Sequence, residues 1–317
     1  MFRFAIMGAG NIARTFSHAV SLMEDAEIVA VASKSPERAE AFAKAQGIPR
    51  SFGDYGQMLE EVQPDAVYIA TMPSTHAELT RLCLSNQIPV LCEKAMFTGL
   101  AEAQEVLALS REMNTFAMEG MWSRFLPVQQ KAKEWLETGR IGNASTLQIT
   151  IGCVYDPETQ ANLLQKEHGG GAANHLTVYC HELATFYFGT DILDTRVCAQ
   201  ANLFGTDGVN QVVLQYRDKT ASLFASCVSA VEERLVIAGS GGRIVMEHPH
   251  YTGEAFLYDA SGTLIEHYRD TETVNGFVYE IRELMDCVSR RKIESTVMPH
   301  RDTLLCAAVF DEIKWCI

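Results

Sequence analysis

A glycine-rich segment near the start of the chain, G-A-G-N-I-A at residues 8–13, constrains the fold more than any other feature. It follows the apolar run 2–7, which is typical of a buried parallel strand, and it precedes a predicted helix. In this setting Gly8 permits a sharp turn, Gly10 lets a pyrophosphate approach the backbone, and Ala13 allows close packing. The alternative is a glycine turn that binds no ligand. The predicted cofactor contacts here are Gly8, Gly10, Asn11 and Ile12.

Strand-like and helix-like segments alternate through the first 120 residues. The later runs with strand character are 27–33, 65–71 and 89–94. The segments with helical character are 36–47, 76–87 and 101–114. This βαβ rhythm is typical of a doubly wound parallel sheet. The sequence therefore predicts an α/β protein whose residues 1–120 form an NAD(P)-binding Rossmann domain.

The pattern changes after residue 120, where long runs alternate apolar and polar side chains. These runs are 145–155, 211–216, 220–230 and 233–247. Such alternation predicts a C-terminal α+β domain with a large, mostly antiparallel open sheet. We expect residues 121–317 to form this domain, which would bind substrate and support oligomerisation. The last helical stretch, 298–315, is a candidate for packing back on the first domain.

Charge and composition exclude several classes of function. The formal net charge of −14 repels phosphate backbones, so we expect neither nucleic acid nor an anionic membrane as a partner. The first residues contain no long apolar run, which predicts neither a secretion signal nor a membrane anchor. The nine cysteines are scattered and form no C-x-x-C pair, as in reduced cytoplasmic proteins.

The sequence predicts no metal site. The residues that come nearest to a metal-binding cluster are His168, His175, Cys180 and His181. Their spacings differ from those of closed zinc sites.

The end of the second predicted strand bears on the choice of cofactor. NAD-selective folds place an acidic residue about twenty residues beyond the glycines, where it binds the ribose hydroxyls. Here residues 32–35 are Ala, Ser, Lys and Ser, and none of them is acidic. Ser33, Lys34 and Arg38 would instead receive the 2′-phosphate of NADP, and NAD is retained as the alternative cofactor. These residues would otherwise be the solvated start of a helix.

Two further segments fall where strands are predicted to end. Thr71, Pro73 and His76 lie at the sheet edge where such folds bind ligands, and we expect them to contact the cofactor. Glu93 and Lys94 follow at the end of the next strand and are expected to do the same. A lysine there can orient a substrate oxygen and lower the pKa of a neighbouring acid. The alternative is an ordinary surface lysine.

In the second half, three glycines at 169–171 precede a predicted helix from about Ala173. That helix would place His175, Tyr179 and Glu182 at i, i+4 and i+7 on one face. This row of side chains predicts a chain of proton transfers, because histidine titrates near neutrality and a phenol can act as acid or base. Alternatively, it is a half-buried polar stripe at a domain interface.

Together these motifs resemble the Gfo/Idh/MocA family of glucose-fructose oxidoreductases and inositol dehydrogenases. The resemblance spans nearly the whole chain and is closest to the branch of dimeric dihydrodiol dehydrogenases and NADP-dependent pentose dehydrogenases. The segments that carry it are GAGNIA at 8–13, ATMPSTH at 70–76, CEKAMFTG at 92–99, EGMWSRFLP at 119–127, the GGG helix from 169, SGGRI at 240–244, GFVYEIRELMDC at 276–287 and MPHRDT at 298–303.

The resemblance implies roles for particular residues. Lys94 matches the lysine of the family's E-K-P motif, and Tyr179 matches the acid/base tyrosine of this branch. Trp122 and Arg124 would line the cofactor and substrate cleft. The chain departs from the family at Ala95, where proline is usual, and at His175, where aspartate is usual and where we expect a catalytic and substrate-binding role.

The sequence therefore predicts an NADP(H)-dependent oxidoreductase that transfers a hydride between nicotinamide and a small polyol, sugar or diol/carbonyl substrate. Lys94, Trp122, His175 and Tyr179 are the predicted substrate contacts. The resemblance implies a homodimer or homotetramer. The alternative function is a non-catalytic NADP-binding sensor on the same fold.

Overall fold

The computed structural model describes all 317 residues of the chain. They divide into two compact units. The first unit comprises Met1–Trp122 and Val274–Thr303, and the second comprises Ser123–Thr273 and Leu304–Ile317. None of the helices combines the length and the apolar character that a membrane span requires.

The first unit contains a six-stranded parallel sheet with strand order β3-β2-β1-β4-β5-β6. Its strands are Phe2–Met7 (β1), Ala26–Ala32 (β2), Ser51–Phe52 (β3), Ala66–Ile69 (β4), Val90–Glu93 (β5) and Ala117–Gly120 (β6). Its helices are Asn11–Ser21 (α1), Pro36–Gln46 (α2), Tyr55–Val62 (α3), Pro73–Ser85 (α4), Leu100–Glu112 (α5) and, from the returning segment, Phe277–Ser289 (α8). The predicted Rossmann sheet is confirmed.

Every residue of β4 and β5 is buried, because helices cover both faces of a parallel sheet. On one face Phe16 of α1 stacks on Tyr68 of β4, with ring centroids 3.8 Å apart. The returning helix α8 packs against α1 on the same unit. This packing places the carboxyl ends of β1, β4 and β5 side by side at one edge of the sheet.

The second unit contains an eight-stranded sheet with order β14-β13-β12-β11-β7-β10-β9-β8. Its strands are Ala144–Gly152 (β7), Asp194–Ala201 (β8), Asp207–Gln215 (β9), Thr220–Ser226 (β10), Arg234–Gly239 (β11), Gly242–Glu247 (β12), Glu254–Asp259 (β13) and Leu264–Arg269 (β14). Strands β7 and β10 pair in parallel and the other neighbours are antiparallel, which confirms the predicted mostly antiparallel sheet. The remaining helices are Pro127–Glu137 (α6), Val178–Phe188 (α7) and His300–Cys316 (α9).

The helix predicted from Ala173 differs from a regular α-helix. Its first five residues, Ala173–Thr177, form a π-helix, and α7 follows directly. Side chains stabilise this wider turn: the Asp207 carboxylate accepts from the Ala173 amide at 2.8 Å, and the Asn174 side chain donates to the Gly169 carbonyl at 3.0 Å. Because a π-turn holds more residues than an α-turn, the i, i+4 alignment expected from the sequence does not apply here.

Candidate active site

The turn after β1 is built by a glycine that no other residue replaces easily. Gly8 has φ of +108°, and a Cβ there would lie 2.6 Å from the carbonyl oxygen of Ala70. Its amide donates to the Ala32 carbonyl at 2.8 Å. The turn therefore lies between the ends of β2 and β4, at the edge where doubly wound sheets bind ligands.

The start of α1 has the properties of an anion site. Gly10 is its N-cap, no side chain caps the helix, and its first turn contains no acidic residue. A Cβ at Gly10 would meet nothing within 4 Å, so space is open next to the helix N-terminus. Asn11 is exposed and Ile12 is partly buried at this end. Uncapped amides, open space and a positive helix dipole fit the diphosphate of a dinucleotide.

The residues predicted to select NADP lie together at the end of β2. Ser33 is buried and its hydroxyl accepts from the Ser35 amide at 3.3 Å, whereas Lys34 and Arg38 are exposed. Tyr55, on α3, approaches Lys34 and Arg38, and burial raises the pKa of its phenol. Sequence reasoning missed Tyr55 because the short helix α3 was not predicted. Two exposed cations and a phenol therefore lie together at the end of β2.

At the end of β4, Thr71 precedes Pro73, which occupies the first turn of α4. His76 is fully buried, and its ring nitrogens contact the carbonyl oxygens of Ala95 at 2.8 Å and Thr71 at 3.1 Å. Burial lowers the pKa of His76. Both ring nitrogens thus face the backbone, so His76 positions the segment after Lys94 and is poorly placed for the cofactor contact predicted for it.

Lys94 follows β5 in an acidic, partly buried position. Burial lowers its pKa, while the carboxylates of Glu93 and Glu119 act in the opposite direction. Glu119, on β6, accepts from the Met96 amide at 2.9 Å and from the Thr303 hydroxyl at 3.0 Å. The peptide bond between Lys94 and Ala95 is cis. The fold thus holds an ammonium with a lowered pKa at a ligand-binding sheet edge.

Tyr68 and Glu280, two buried residues that interact with Glu93, were not identified from the sequence. The Tyr68 hydroxyl donates to a carboxylate oxygen of Glu93, and both side chains are buried. Glu280, on α8, is fully buried, and neither of its carboxyl oxygens has a hydrogen-bond partner. Burial raises the pKa of Glu93 and raises that of Glu280 well above the usual range. No local motif marks these residues, because they meet only after β4, β5 and α8 pack.

Trp122 and Arg124, in the segment M-W-S-R at 121–124, have different surroundings. Trp122 is partly exposed, and its ring lies 5.4 Å from that of Phe277. Arg124 is only 1% exposed and forms an ion pair with Glu182 at 2.7 Å. It also donates to the Thr185 hydroxyl at 2.6 Å. This pairing argues against the ligand contact predicted for Arg124 and accounts for Glu182 as a structural counter-ion.

His175 and Tyr179 are nearly buried in the second unit, with 7% and 8% of their surfaces exposed. The His175 ring lies 6.3 Å from that of Tyr155, and the Tyr179 ring lies 5.0 Å from that of His250. Glu182 faces Arg124 instead. The three residues predicted as one row therefore have three different neighbours.

Folding brings together a group of possible metal ligands that shares only His181 with the four residues considered in the sequence. Ligand atoms of His181, Glu182 and Cys306 lie within 4.8 Å of one another, and all three are buried. One oxygen of Glu182 is already paired with the Arg124 guanidinium. A cation beside that guanidinium would be repelled, so we assign these residues no metal-binding role.

The fold and these residues define an oxidoreductase with an NAD(P)-binding Rossmann domain. The family model for an oxidoreductase family with an NAD-binding Rossmann fold matches residues 2–121, and the Gfo/Idh/MocA C-terminal domain model matches residues 129–245. The chain belongs to the Gfo/Idh/MocA family, which confirms the resemblance seen in the sequence.

The curated relatives and solved structures extend this similarity over the whole chain. A trans-1,2-dihydrobenzene-1,2-diol dehydrogenase of Xenopus laevis is 28% identical over 98% of this chain and 96% of its own, and the Homo sapiens enzyme of the same name is 24% identical over 99% and 96%. A 3-ketoreductase from Actinomadura kijaniata, in complex with NADP and TDP-benzene, has a TM-score of 0.88 at 23% identity, covering 99% of this chain and 97% of its own. Levoglucosan dehydrogenase with NADH has a TM-score of 0.89 at 17% identity, covering 99% and 96%. These structures share the fold.

Proposed function

We propose that this protein is an NADP-preferring dehydrogenase or reductase that interconverts a CH–OH group and a carbonyl on a small polyol, sugar or diol. The observation that carries the proposal is Lys94, an ammonium whose pKa is lowered by burial at the end of β5, in the unit that also contains the open nucleotide turn at Gly10. Relatives named dihydrodiol and levoglucosan dehydrogenases support the substrate class.

In this proposal Lys94 donates a hydrogen bond to the reacting oxygen and polarises it. Tyr179 exchanges the proton of that oxygen, as a nearly buried phenol can when its surroundings favour the phenolate. A bound nicotinamide would supply or accept the hydride. Trp122 and His175 contact the substrate, and His175 replaces the family's aspartate with a side chain that is neutral or cationic. We therefore expect a pH optimum that shifts when His175 is changed to aspartate.

Preference for NADP rests on the end of β2. Lys34 and Arg38 are exposed cations there, and the one acid in the first turn of α2, Glu37, accepts from the Ser35 hydroxyl at 2.8 Å. A 2′-phosphate would therefore meet net positive charge and hydroxyl donors. The diphosphate would lie against Gly8, Gly10, Asn11 and Ile12, and the rest of the cofactor would approach Thr71, Pro73 and Glu93.

We further propose that residues 1–120 hold the cofactor and that residues 121–317 supply substrate binding and oligomerisation, with Val274–Thr303 returning to the first compact unit. Val213, Phe224 and Val236 lie on strands β9, β10 and β11 of the large sheet and remain partly exposed, which favours a homodimer or homotetramer through that face. All nine cysteines are free thiols, which suits the reducing cytoplasm.

The test is absorbance at the reduced-nicotinamide band with NADP or NAD against pentoses, hexoses, inositols, trans-dihydrodiols and dicarbonyls. We expect turnover with NADP that Tyr179→Phe abolishes, and a large fall in kcat for Lys94→Ala with NADPH binding kept. NADPH should bind more tightly than NADH, and Arg38→Ala should narrow that difference. NADPH binding without turnover on any substrate would instead favour a sensor.

A further inference from the structure

A histidine outside every motif considered above lies against the proposed acid/base. His250 follows β12, and its ring centroid is 5.0 Å from that of Tyr179, with the planes inclined at 39°. Only 16% of the His250 side chain is exposed, so solvent has little access to this pair. The two nearly enclosed rings are therefore neighbours, and a proton passes between them when the phenol oxygen and a ring nitrogen come within hydrogen-bond reach, directly or through one water.

The carboxylate of Glu233 lies close to His250. Oε2 of Glu233 lies 3.9 Å from Nδ1 of His250 and 2.9 Å from Nδ1 of His248. Oε1 of the same carboxylate accepts from the Gly152 amide at 3.1 Å, which fixes the side chain at the end of β7. Glu233 is 11% exposed, whereas His248 is 54% exposed. The series therefore runs from a nearly buried phenol to a histidine in contact with water.

We infer that His250, Glu233 and His248 form a proton relay between Tyr179 and solvent, with His250 as its indispensable member. The inference rests on the proposed function, since it needs Tyr179 to gain and lose a proton in each turnover. When a substrate alcohol is oxidised, its hydroxyl proton passes to the Tyr179 phenolate. Nε2 of His250 then takes that proton while Nδ1 releases one toward Glu233, and His248 delivers it to water. Reduction runs the same transfers in reverse.

The spacing defines how each transfer occurs. The contact between Glu233 and His248 is a direct hydrogen bond. The 3.9 Å between Glu233 and His250 exceeds that range, so one water or a small ring rotation completes this transfer. The other titratable groups around the series are the phenols of Tyr155 and Tyr251 and the thiols of Cys153 and Cys180, which are neutral near pH 7. Glu233 therefore supplies the negative charge that stabilises a protonated His250.

The experiment compares the parent protein with His250→Ala and His250→Gln in the nicotinamide assay. We expect kcat to fall by about 10- to 100-fold in both, at the lower end of general acid–base effects. KM and NADPH affinity should stay near the parent values. Added imidazole should restore the kcat of His250→Ala in a saturable way, because the free base can occupy the vacated position. Glutamine keeps the polarity and much of the volume of histidine. If His250 had only a structural role, the kcat of His250→Gln would therefore stay near the parent value.

His267→Gln is the matched control. His267 lies in the same unit on β14, is 39% exposed and pairs with Glu254 at 3.2 Å, away from the series, so its kcat should equal the parent value. The inference is overturned if His250→Ala keeps the parent kcat and pH profile, or if imidazole leaves its kcat unchanged.

A second readout separates the relay from the proposed function itself. If the parent shows no Tyr179-dependent turnover, the proposed function fails, and nuclear magnetic resonance titration of the His250 ring still tests the arrangement. Glu233→Gln should lower the pKa of His250, because it removes the adjacent negative charge. Tyr179→Phe should change the His250 chemical shift. An unchanged titration and shift in both variants would overturn the relay without reference to catalysis.

Discussion

Replacing Glu280 by glutamine should stabilise the first unit, and the gain should grow with pH. The carboxyl is fully buried without a hydrogen-bond partner, and burial raises its pKa well above 4.5. Between pH 4.5 and that raised pKa, the folded protein therefore keeps a proton that the unfolded chain releases. This group's contribution to stability is complete below about pH 4.5 and is lost as the pH rises toward the folded pKa.

The magnitude follows from that difference in proton binding. Each pH unit between 4.5 and the folded pKa costs about 1.4 kcal/mol of stability. Glutamine is neutral in both states and avoids this cost. Urea unfolding of Glu280→Gln and parent at pH 5, 6 and 7 should show a free-energy gap that widens as the pH rises, by at most about 1.4 kcal/mol per unit.

Glu112 provides the control for this experiment. Glu112→Gln, at an exposed position at the end of α5, should leave the parent's pH dependence unchanged. A gap between Glu280→Gln and parent that stays constant from pH 5 to 7 would refute the reasoning. It would mean that the buried carboxyl ionises normally in the folded protein.

Two further predictions concern buried pairs. Arg124→Gln leaves the fully buried Glu182 carboxylate without its counter-ion, so urea unfolding should show a loss of about 3–5 kcal/mol, and a loss below about 1 kcal/mol would contradict the pairing. Tyr68→Phe removes a donor that lowers the pKa of Glu93. Because that donor favours the carboxylate, the loss in unfolding free energy should be about 1.5–3 kcal/mol at pH 8 and smaller at pH 5. Equal losses at both pH values would contradict this reasoning, because they would mean that Glu93 does not change its protonation state between pH 5 and 8.

Much of the architecture could be predicted because it depends on local pattern. Six-residue apolar runs ending in glycine, such as the one before Gly8, specify both a strand and its turn. The short elements escaped prediction for the same reason. Strand β3 has two residues and helix α3 has eight, so neither contains enough turns or alternations to show a period.

The residues of the candidate site also differ in whether the sequence marks them. Lys94 and Tyr179 stand out in the sequence because strand ends and glycine-flanked helices mark them. Glu119 and His250 carry no such mark, since each becomes relevant only through a neighbour distant in sequence. The π-helix at Ala173–Thr177 also escaped prediction, and one of its contacts is with the Asp207 carboxylate, which lies 34 residues further along the chain.

The sequence by itself determined the nucleotide-binding turn, the parallel sheet, the change to an alternating sheet and the identity of the two main candidate catalytic residues. These properties follow from side-chain periodicity and backbone freedom over a few consecutive residues. Only the tertiary structure decided which charges are paired and which are buried alone. It assigned Arg124 to Glu182, left Glu280 without a partner and placed His250 against Tyr179. Desolvation and proton exchange depend on distances between elements, and no local pattern encodes those distances.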